Sequence, residues 1–503
     1  MSLIYCCHIS IPTIGNTVAQ IVVLGAGIAG HTASMILARE LKNTEHQVVV
    51  VSPKPTWNWV PSNIWVGTGS MPREKVVFEL RPLYEKYGID FRQAAAHNIY
   101  PEGTEDNPRP QVEFEYTDPA HKGQTDRVEF DYLINATGPK LNFAATPGLG
   151  PDGGYTQSVC TDAHAEVCGE EFLRAVNRMK NGERLRFVIG TGAGNCTCQG
   201  AAFEYTFNTD FELRQHGVRD KAEIVYITNE PKLGDLGVGG MTFKQDGYYT
   251  TSQLWTESIF RERGVKAIAQ VAVKNIEADK LTYENADGEE HDLDYDFAML
   301  LPPFTGIPMK AFDREGNDIS DVVFNPAGFM KVDADYTPKP HEEWRAKDWP
   351  RTYQNPTYGN MFAVGIAFAP PHAISEPTKT PNGTMIAPAP PRTGQPSGTM
   401  AAKVAESILD RLNDPNAPLR EASLGDLGAI CDASTGRNML SGSAAAMVMY
   451  PVVPDNTVYP ETGRHPTLTQ GELGLFGHWV KILYHYLFIY KAKALPGWNL
   501  LPE

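Results

Sequence analysis

The chain has 503 residues, which allows two or three domains. With 42% hydrophobic and 21% charged residues it has the composition of an ordinary globular protein with material for a sizeable core. A formal net charge of −16 argues against nucleic acid as a partner, and seven cysteines, an odd number scattered over a long chain, do not make a secreted disulfide framework.

Residues 1–20 show no basic stretch and no unbroken apolar run, so no signal peptide is expected. Residues 20–24 (QIVVL) read as a buried strand, followed at once by Gly25-Ala26-Gly27-Ile28-Ala29-Gly30. A helix from His31 to about Lys42 and a second strand, Val48 to Val51, come next. Glycine at 25, 27 and 30 suits a tight turn, close approach of a pyrophosphate and helix–sheet contact, with the helix N-terminus facing the phosphates. Ser52 stands where an acidic residue would hold a ribose; a hydroxyl does so less strongly. A strand over 128–138 ends on a second glycine turn, Asn135-Ala136-Thr137-Gly138, and Val364-Gly365 ends a third. Three such turns fit FAD better than a single NAD.

A second strand–turn–helix unit begins at Leu185–Ile189, with a glycine run over 190–200, a helix carrying Glu204 and a strand Glu223–Thr228. Thr197 replaces the third glycine, and Cys196 and Cys198 occupy the turn. Phosphates gain nothing from thiols, so this unit is expected to handle sulfur. The fold class is α/β: two tandem Rossmann-like dinucleotide-binding domains plus a C-terminal amphipathic membrane-anchoring region. An FAD-binding domain in two parts (18–157 and 301–410) would enclose the second domain (158–300), before a C-terminal region (411–503). The proline-rich segments 338–358 and 370–396 read as ordered loops or covers over a site. Cys196-x-Cys198 lacks zinc spacing and a matched second pair, so no metal is expected. Cys168 reads as a core thiol; Cys6 and Cys7 carry no assigned role.

Four segments carry a family resemblance. Ser158-Val159-Cys160-Thr161-Asp162-Ala163-His164 resembles the S-x-C-T-x-x-H segment of sulfide:quinone oxidoreductases, and Cys198-Gln199-Gly200-Ala201-Ala202-Phe203-Glu204 their C-x-G-x-x-x-E segment. Cys431-Asp432-Ala433-Ser434-Thr435-Gly436 resembles the third-cysteine segment, and Val60-Pro61-Ser62-Asn63-Ile64-Trp65-Val66-Gly67 the V-P-S-N-x-W-V-G run. The resemblance implies that Cys198 and Cys431 form a redox-active pair beside FAD. Hydrosulfide would attack one sulfur, pass an electron pair to the flavin and leave sulfane sulfur or polysulfide. Cys160 would either aid sulfur release or be tied covalently to the flavin. Glu204 would accept a proton and His164 relay one. Asn63 joins the cofactor-binding set with Gly25, Gly27, Gly30, Ser52, Ala136, Thr137, Gly138 and Gly365. Arg392 and Gly394, in a basic-Thr-Gly segment, would stabilise reduced flavin. One departure is Asp235, where many members have histidine. Rival readings are a type II NADH:quinone dehydrogenase, the flavoprotein subunit of a flavocytochrome sulfide dehydrogenase, and a membrane-tethered sulfur carrier without turnover.

Residues 474–491 are apolar over a wide face, with His478, Lys481 and His485 in a narrow polar stripe. The run is too polar to span a bilayer and too apolar for a free surface helix. It reads as an interfacial helix in one leaflet, with Lys481, Lys491 and Lys493 suited to anionic headgroups. The chain is therefore expected to be a peripheral, monotopic membrane protein, on a membrane face the sequence leaves open. Its expected partners are hydrogen sulfide, a membrane quinone, a lipid surface and further copies of itself in a homo-oligomer. Tyr450, Tyr486 and Phe488 are the candidates to stack on the quinone ring.

Overall fold

The computed structural model describes residues 18–502 apart from Thr197, Asp246, Arg392 and Thr393. The elements that position the site are, first, β1 (Gln20–Leu24), α1 (Ile28–Glu40), β2 (Gln47–Val51), β3 (Asp90–Arg92), β4 (Tyr132–Asn135) and α2 (Asp162–Lys180). There follow β5 (Leu185–Thr191), α3 (Gln199–Gln215), β6 (Ala222–Ile227), β7 (Val265–Ile268), β8 (Phe297–Leu301), β9 (Met361–Ala363) and α4 (Gly394–Asn413). The C-terminal region adds β10 (Ala429–Asn438), β11 (Ser441–Met449), β12 (Gln470–Leu473) and α5 (Leu475–Ala492).

β1 and β2 are unbroken apolar runs because both faces of their sheet are covered. They pair in parallel with Val22 opposite Val49, in the order β9-β4-β1-β2-β3. The strand expected over 128–138 is two elements: Thr125–Glu129 pairs antiparallel with Gln111–Tyr116 in a separate sheet, and β4 alone joins β1. The break falls at Phe130–Asp131, where the Asp131 carboxylate takes the Gln20 N–H at 2.7 Å. α1 begins at Ile28, so Gly30 lies inside its first turn. His31, also buried, donates from Nε2 to the Ala492 carbonyl at 2.8 Å and accepts from the Tyr84 hydroxyl at 3.0 Å. The nucleotide-type helix is thus latched to the end of α5.

The second parallel sheet has the order β7-β6-β5-β8. Its glycine turn is filled by the chain itself. A Cβ on Gly192 would lie 2.5 Å from Leu149, and one on Gly194 would lie 2.1 Å from the Met385 carbonyl. Ala387 N–H donates to Gly194 O at 2.7 Å and Ala389 N–H to Cys196 O at 3.0 Å. The covering segment includes the short hairpin Thr378–Lys379/Met385–Ile386. The buried Glu284 carboxylate holds it, accepting from the Thr380 and Thr384 hydroxyls and pairing with Lys274 at 3.0 Å. Glu230, just past β6, accepts from Tyr226, Thr228 and the Leu236 N–H, so it too is committed inward.

β10, β11 and β12 form an antiparallel sheet. One side of β10 packs on α3, and α5 lies over the sheet, with Gly477 close to Ala444 and Ala446. His478, Lys481 and His485 face inward and are buried, while Phe476, Leu483 and Tyr486 are more than half exposed. Lys481 therefore does not face headgroups, contrary to the sequence expectation; of the other two lysines, Lys491 donates to the carbonyls of Leu501 and Pro502, and Lys493 lies over Phe78. No helix among the described residues is long and apolar enough to cross a membrane.

The filled turn has a measurable consequence. Gly194→Ala should lower stability by about 1–3 kcal/mol through overpacking, seen as a lower urea midpoint. Gly27→Ala, whose Cβ meets nothing within 4 Å, should cost far less in the absence of cofactor.

Candidate active site

The first glycine turn is built to leave space. Gly25 has φ +91°, and a Cβ there would lie 2.4 Å from the Ala136 carbonyl; one on Gly30 would lie 1.9 Å from Gly25 O. These two glycines let β1, α1 and β4 close up. Gly27 and Gly138, by contrast, face open space, as a pyrophosphate and a flat ring would require. Thr137 donates its N–H and hydroxyl to Asn135, shaping the second turn beside Ala136. Gly365, at φ +67°, sits against Ala29 and Ser397, and Gly394 against Ile28 and Trp59. The first turns of α1 and α4 therefore touch, and two positive helix ends converge on one place. Ser52 directly follows β2, buried, with its backbone tied to Arg92 and Ala94. These features fit FAD. Asn63 is committed elsewhere: its amide donates to the Val159 carbonyl and exchanges hydrogen bonds with Asn58. It fastens the segment that precedes Cys160. Arg392 lies outside the described residues.

Cys198 caps α3 in the left-handed region, at φ 71°, a conformation costly for a side-chain-bearing residue and frequent at functional sites. The Ala201 N–H donates to the Cys198 carbonyl at 2.8 Å and also acts to lower the thiol's pKa. Cys431, on β10, reaches onto the same helix end: a Cβ on Gly200 would lie 2.4 Å from the Cys431 sulfur. Glycine at 200 is what lets that thiol approach. Cys160 lies just before α2 and senses the charge of Cys198; burial pushes its thiol up to about 12. Cys196 is fully buried and donates to Leu301 O at 3.1 Å. Cys168 pairs with the Tyr205 hydroxyl at 3.2 Å in the core. All five cysteines among the described residues are free.

A charged cluster lies against the thiols. Lys481 of α5 reaches Glu204 of α3 at 3.0 Å, both buried. Asp432 follows Cys431 and is also buried, and neither of its oxygens has a hydrogen-bond partner among the described residues. Burial raises Glu204 to about 7 in spite of Lys481, and raises Asp432 to about 8. Burial works against the Lys481 ammonium, but Glu204 and Asp432 more than offset it. One ammonium thus faces two carboxyl groups. For Cys198, burial raises the thiol pKa and Glu204 adds to this, while the Ala201 N–H and Lys481 oppose it.

Other expected residues stand apart. His164, in the first turn of α2, turns its ring to Asp152 at 3.3 Å and to Phe143, and is not among the groups acting on Cys160. Asp235 is buried, accepts from Ser375 and Gly237, and lies near Arg464, which donates to the carbonyls of Val238, Gly240, Pro451 and Val452. Tyr450, Tyr486 and Phe488 do not share a pocket. Tyr450 sits over Gly428, Tyr486 is 67% exposed on the outer face of α5, and Phe488 stacks on Trp59 with centroids 4.6 Å apart. Tyr484 meets Phe488 edge-on at 5.6 Å. Trp59 and Tyr484 extend this aromatic run beyond the residues read from the sequence; the place of Trp59 directly before the Val60–Gly67 run and the i,i+4 spacing of Tyr484 and Phe488 are the signals that point to them.

Comparison with known proteins supplies the lineage. Residues 19–334 match the pyridine nucleotide-disulphide oxidoreductase family. The chain is 30% identical to the sulfide-quinone reductase of Aquifex aeolicus (strain VF5) over 478 residues, covering 94% of this chain and 91% of that one. It belongs to the sulfide:quinone oxidoreductase family. The X-ray structure of the sulfide:quinone oxidoreductase from Aquifex aeolicus superposes with a TM-score of 0.70 at 26% identity, covering 95% of this chain and 92% of that one. NDH2 from Plasmodium falciparum in complex with NADH superposes at 0.60 with 12% identity, covering 96% of each chain, which is a likeness of fold alone. Within the family fold, the filled second turn separates this chain from a nucleotide-accepting one.

The two raised carboxyl groups couple to folding. From about pH 4 up to about 7 for Glu204, and up to about 8 for Asp432, the folded chain holds protons that the unfolded chain has released. Their contribution is full below the ordinary carboxylate range and is lost as pH rises through the raised values. Urea midpoints measured across this window should fall with rising pH, and less steeply in Asp432→Asn.

Proposed function

We propose that this chain is a flavin-dependent sulfide:quinone oxidoreductase, oxidising hydrogen sulfide to sulfane sulfur and reducing a membrane quinone. The observation that carries the reading is the meeting of Cys198 and Cys431 at Gly200, at the positive end of α3 and beside the buried Glu204–Lys481 pair.

In the oxidised pair, HS⁻ attacks one sulfur; a new sulfur–sulfur bond forms as the old one breaks, and the other sulfur leaves as thiolate. Closing the bridge again, with the extra sulfur inserted, gives up two electrons and one proton. FAD, when bound, supplies the two-electron acceptor for this chemistry. The end of α3 and the Lys481 ammonium favour negative charge on sulfur. Glu204, held near neutrality, takes the proton. Sulfur transfer to a growing polysulfide falls to Cys160, the next thiol along. Gly25, Gly27, Gly30, Ser52, Ala136, Thr137, Gly138, Gly365 and Gly394 form the FAD cradle.

The quinone enters from the lipid beside α5. The outward apolar face of this helix and the hairpin tip at Met439–Leu440 make the membrane contact, and the Trp479 indole ties the two by donating to Met439 O at 2.8 Å. The aromatic run Tyr484, Phe488 and Trp59 is a better quinone surface than the dispersed set read from the sequence.

Anaerobic sulfide should bleach the purified yellow protein, and a soluble quinone should restore the colour. NADH should leave it unbleached, because the second glycine turn is filled. Cys198→Ala and Cys431→Ala should each slow bleaching by on the order of 10²-fold or more; unchanged rates would refute the pair. On the membrane side, Leu483→Glu with Tyr486→Glu should abolish co-flotation with lipid vesicles while leaving sulfide bleaching intact.

A further inference from the structure

The proton balance of the proposed reaction does not close on Glu204 alone. HS⁻ brings one proton, whereas a quinone that takes two electrons takes two protons to become quinol. A second acid must supply the other and refill from water between turnovers. We propose that Asp432 is this second acid: it rests neutral beside Lys481 and Glu204 and releases its proton towards the α5 side, where the acceptor docks. The inference rests on the functional reading above.

The geometry is specific. Successive residues of a strand point to opposite faces. Cys431 meets α3 at Gly200, which leaves Asp432 on the other side, and there the groups that feel its charge include Lys481 and Tyr484 of α5. Glu204 also acts on it, and Asp432 in turn acts on Cys431. The Lys481 ammonium gives its hydrogen bond to Glu204. Asp432 is left with two buried oxygens and no partner among the described residues. An ionised carboxylate in that position would be an uncompensated buried charge, so the neutral form is favoured. Its burial-driven rise agrees with this.

The cluster also explains how the proton can move cheaply. One ammonium balances one carboxylate, so shifting a proton between Glu204 and Asp432 leaves the local net charge unchanged. Losing the Asp432 proton outright makes the cluster negative, which disfavours that state unless a base is at hand. Reduced quinone is such a base. From Asp432 the aromatic run through Tyr484 to Phe488 and Trp59 leads to the expected ring site.

The test separates the two half-reactions in the flavin-loaded protein, using anaerobic stopped flow with sulfide and then with a short-chain benzoquinone. Asp432→Asn replaces a neutral acid with a neutral amide of the same shape. It should bleach with sulfide within about twofold of the parent, while reoxidation by quinone slows by about 10²-fold. In the parent, reoxidation should decline as pH rises through about 8, and this break should vanish in the Asn variant. Asp432→Glu, which can still carry a proton, should restore most of the rate. Infrared spectra of the resting protein should show a protonated-carboxyl band that Asp432→Asn removes. Unchanged reoxidation and pH profile in the Asn variant would overturn the proposal, as would equal slowing of both half-reactions without rescue by Glu. Failure of the parent to bleach with sulfide would instead bring down the functional reading, and this inference with it.

Discussion

The ion pair between Lys481 and Glu204 is the constraint on which the rest of the arrangement depends. It spans α5 and α3 at the point where β10 brings Cys431 onto the same helix end. A buried pair of this kind adds little net stability compared with apolar packing, because desolvation consumes most of the attraction. What it fixes is rotation. With Lys481, His478 and His485 turned inward, the latter two hydrogen-bonded to Ser434 and Ser62, the apolar side of α5 has nowhere to face but outward. The same interaction that tunes the thiol environment therefore presents the exposed apolar face of α5.

The two glycine turns show one backbone motif put to opposite uses. In the first, open space remains at Gly27 and Gly138; in the second, Leu149 and the Met385 carbonyl occupy the corresponding room. Glu284 is the fastener, since its carboxylate gathers two hydroxyls and an ammonium from either side of the cover. A domain of nucleotide-binding ancestry thus becomes a scaffold. Its helix N-terminus, no longer needed for phosphate, is available to a cysteine.

The fold class and the family were legible in the sequence, because strand–glycine–helix order and four short motifs are local features. Contacts between distant segments were not. The periodicity of residues 474–491 separated a polar from an apolar side, but it could not say which side faces the protein. Water usually takes the polar side; here Glu204, remote in the chain, claims it. Asp432 carries no local signal for the same reason: its burial arises only when β10 packs between α3 and α5. Asn63 sat in a motif, yet its amide serves Val159 and Asn58. His164 likewise looks outward to Asp152. Residue type points to Phe488, but its partner Trp59 lies at the far end of the chain.

The hydrogen bond from His31 to the Ala492 carbonyl puts α5 and the first glycine turn in mechanical series. A force that peels the carboxy-terminal helix from its bed is transmitted, through one imidazole, to the helix that opens on Gly25–Gly30. Whatever unseats that helix therefore also disturbs the open turn at Gly27, so the two ends of the chain hold or loosen together.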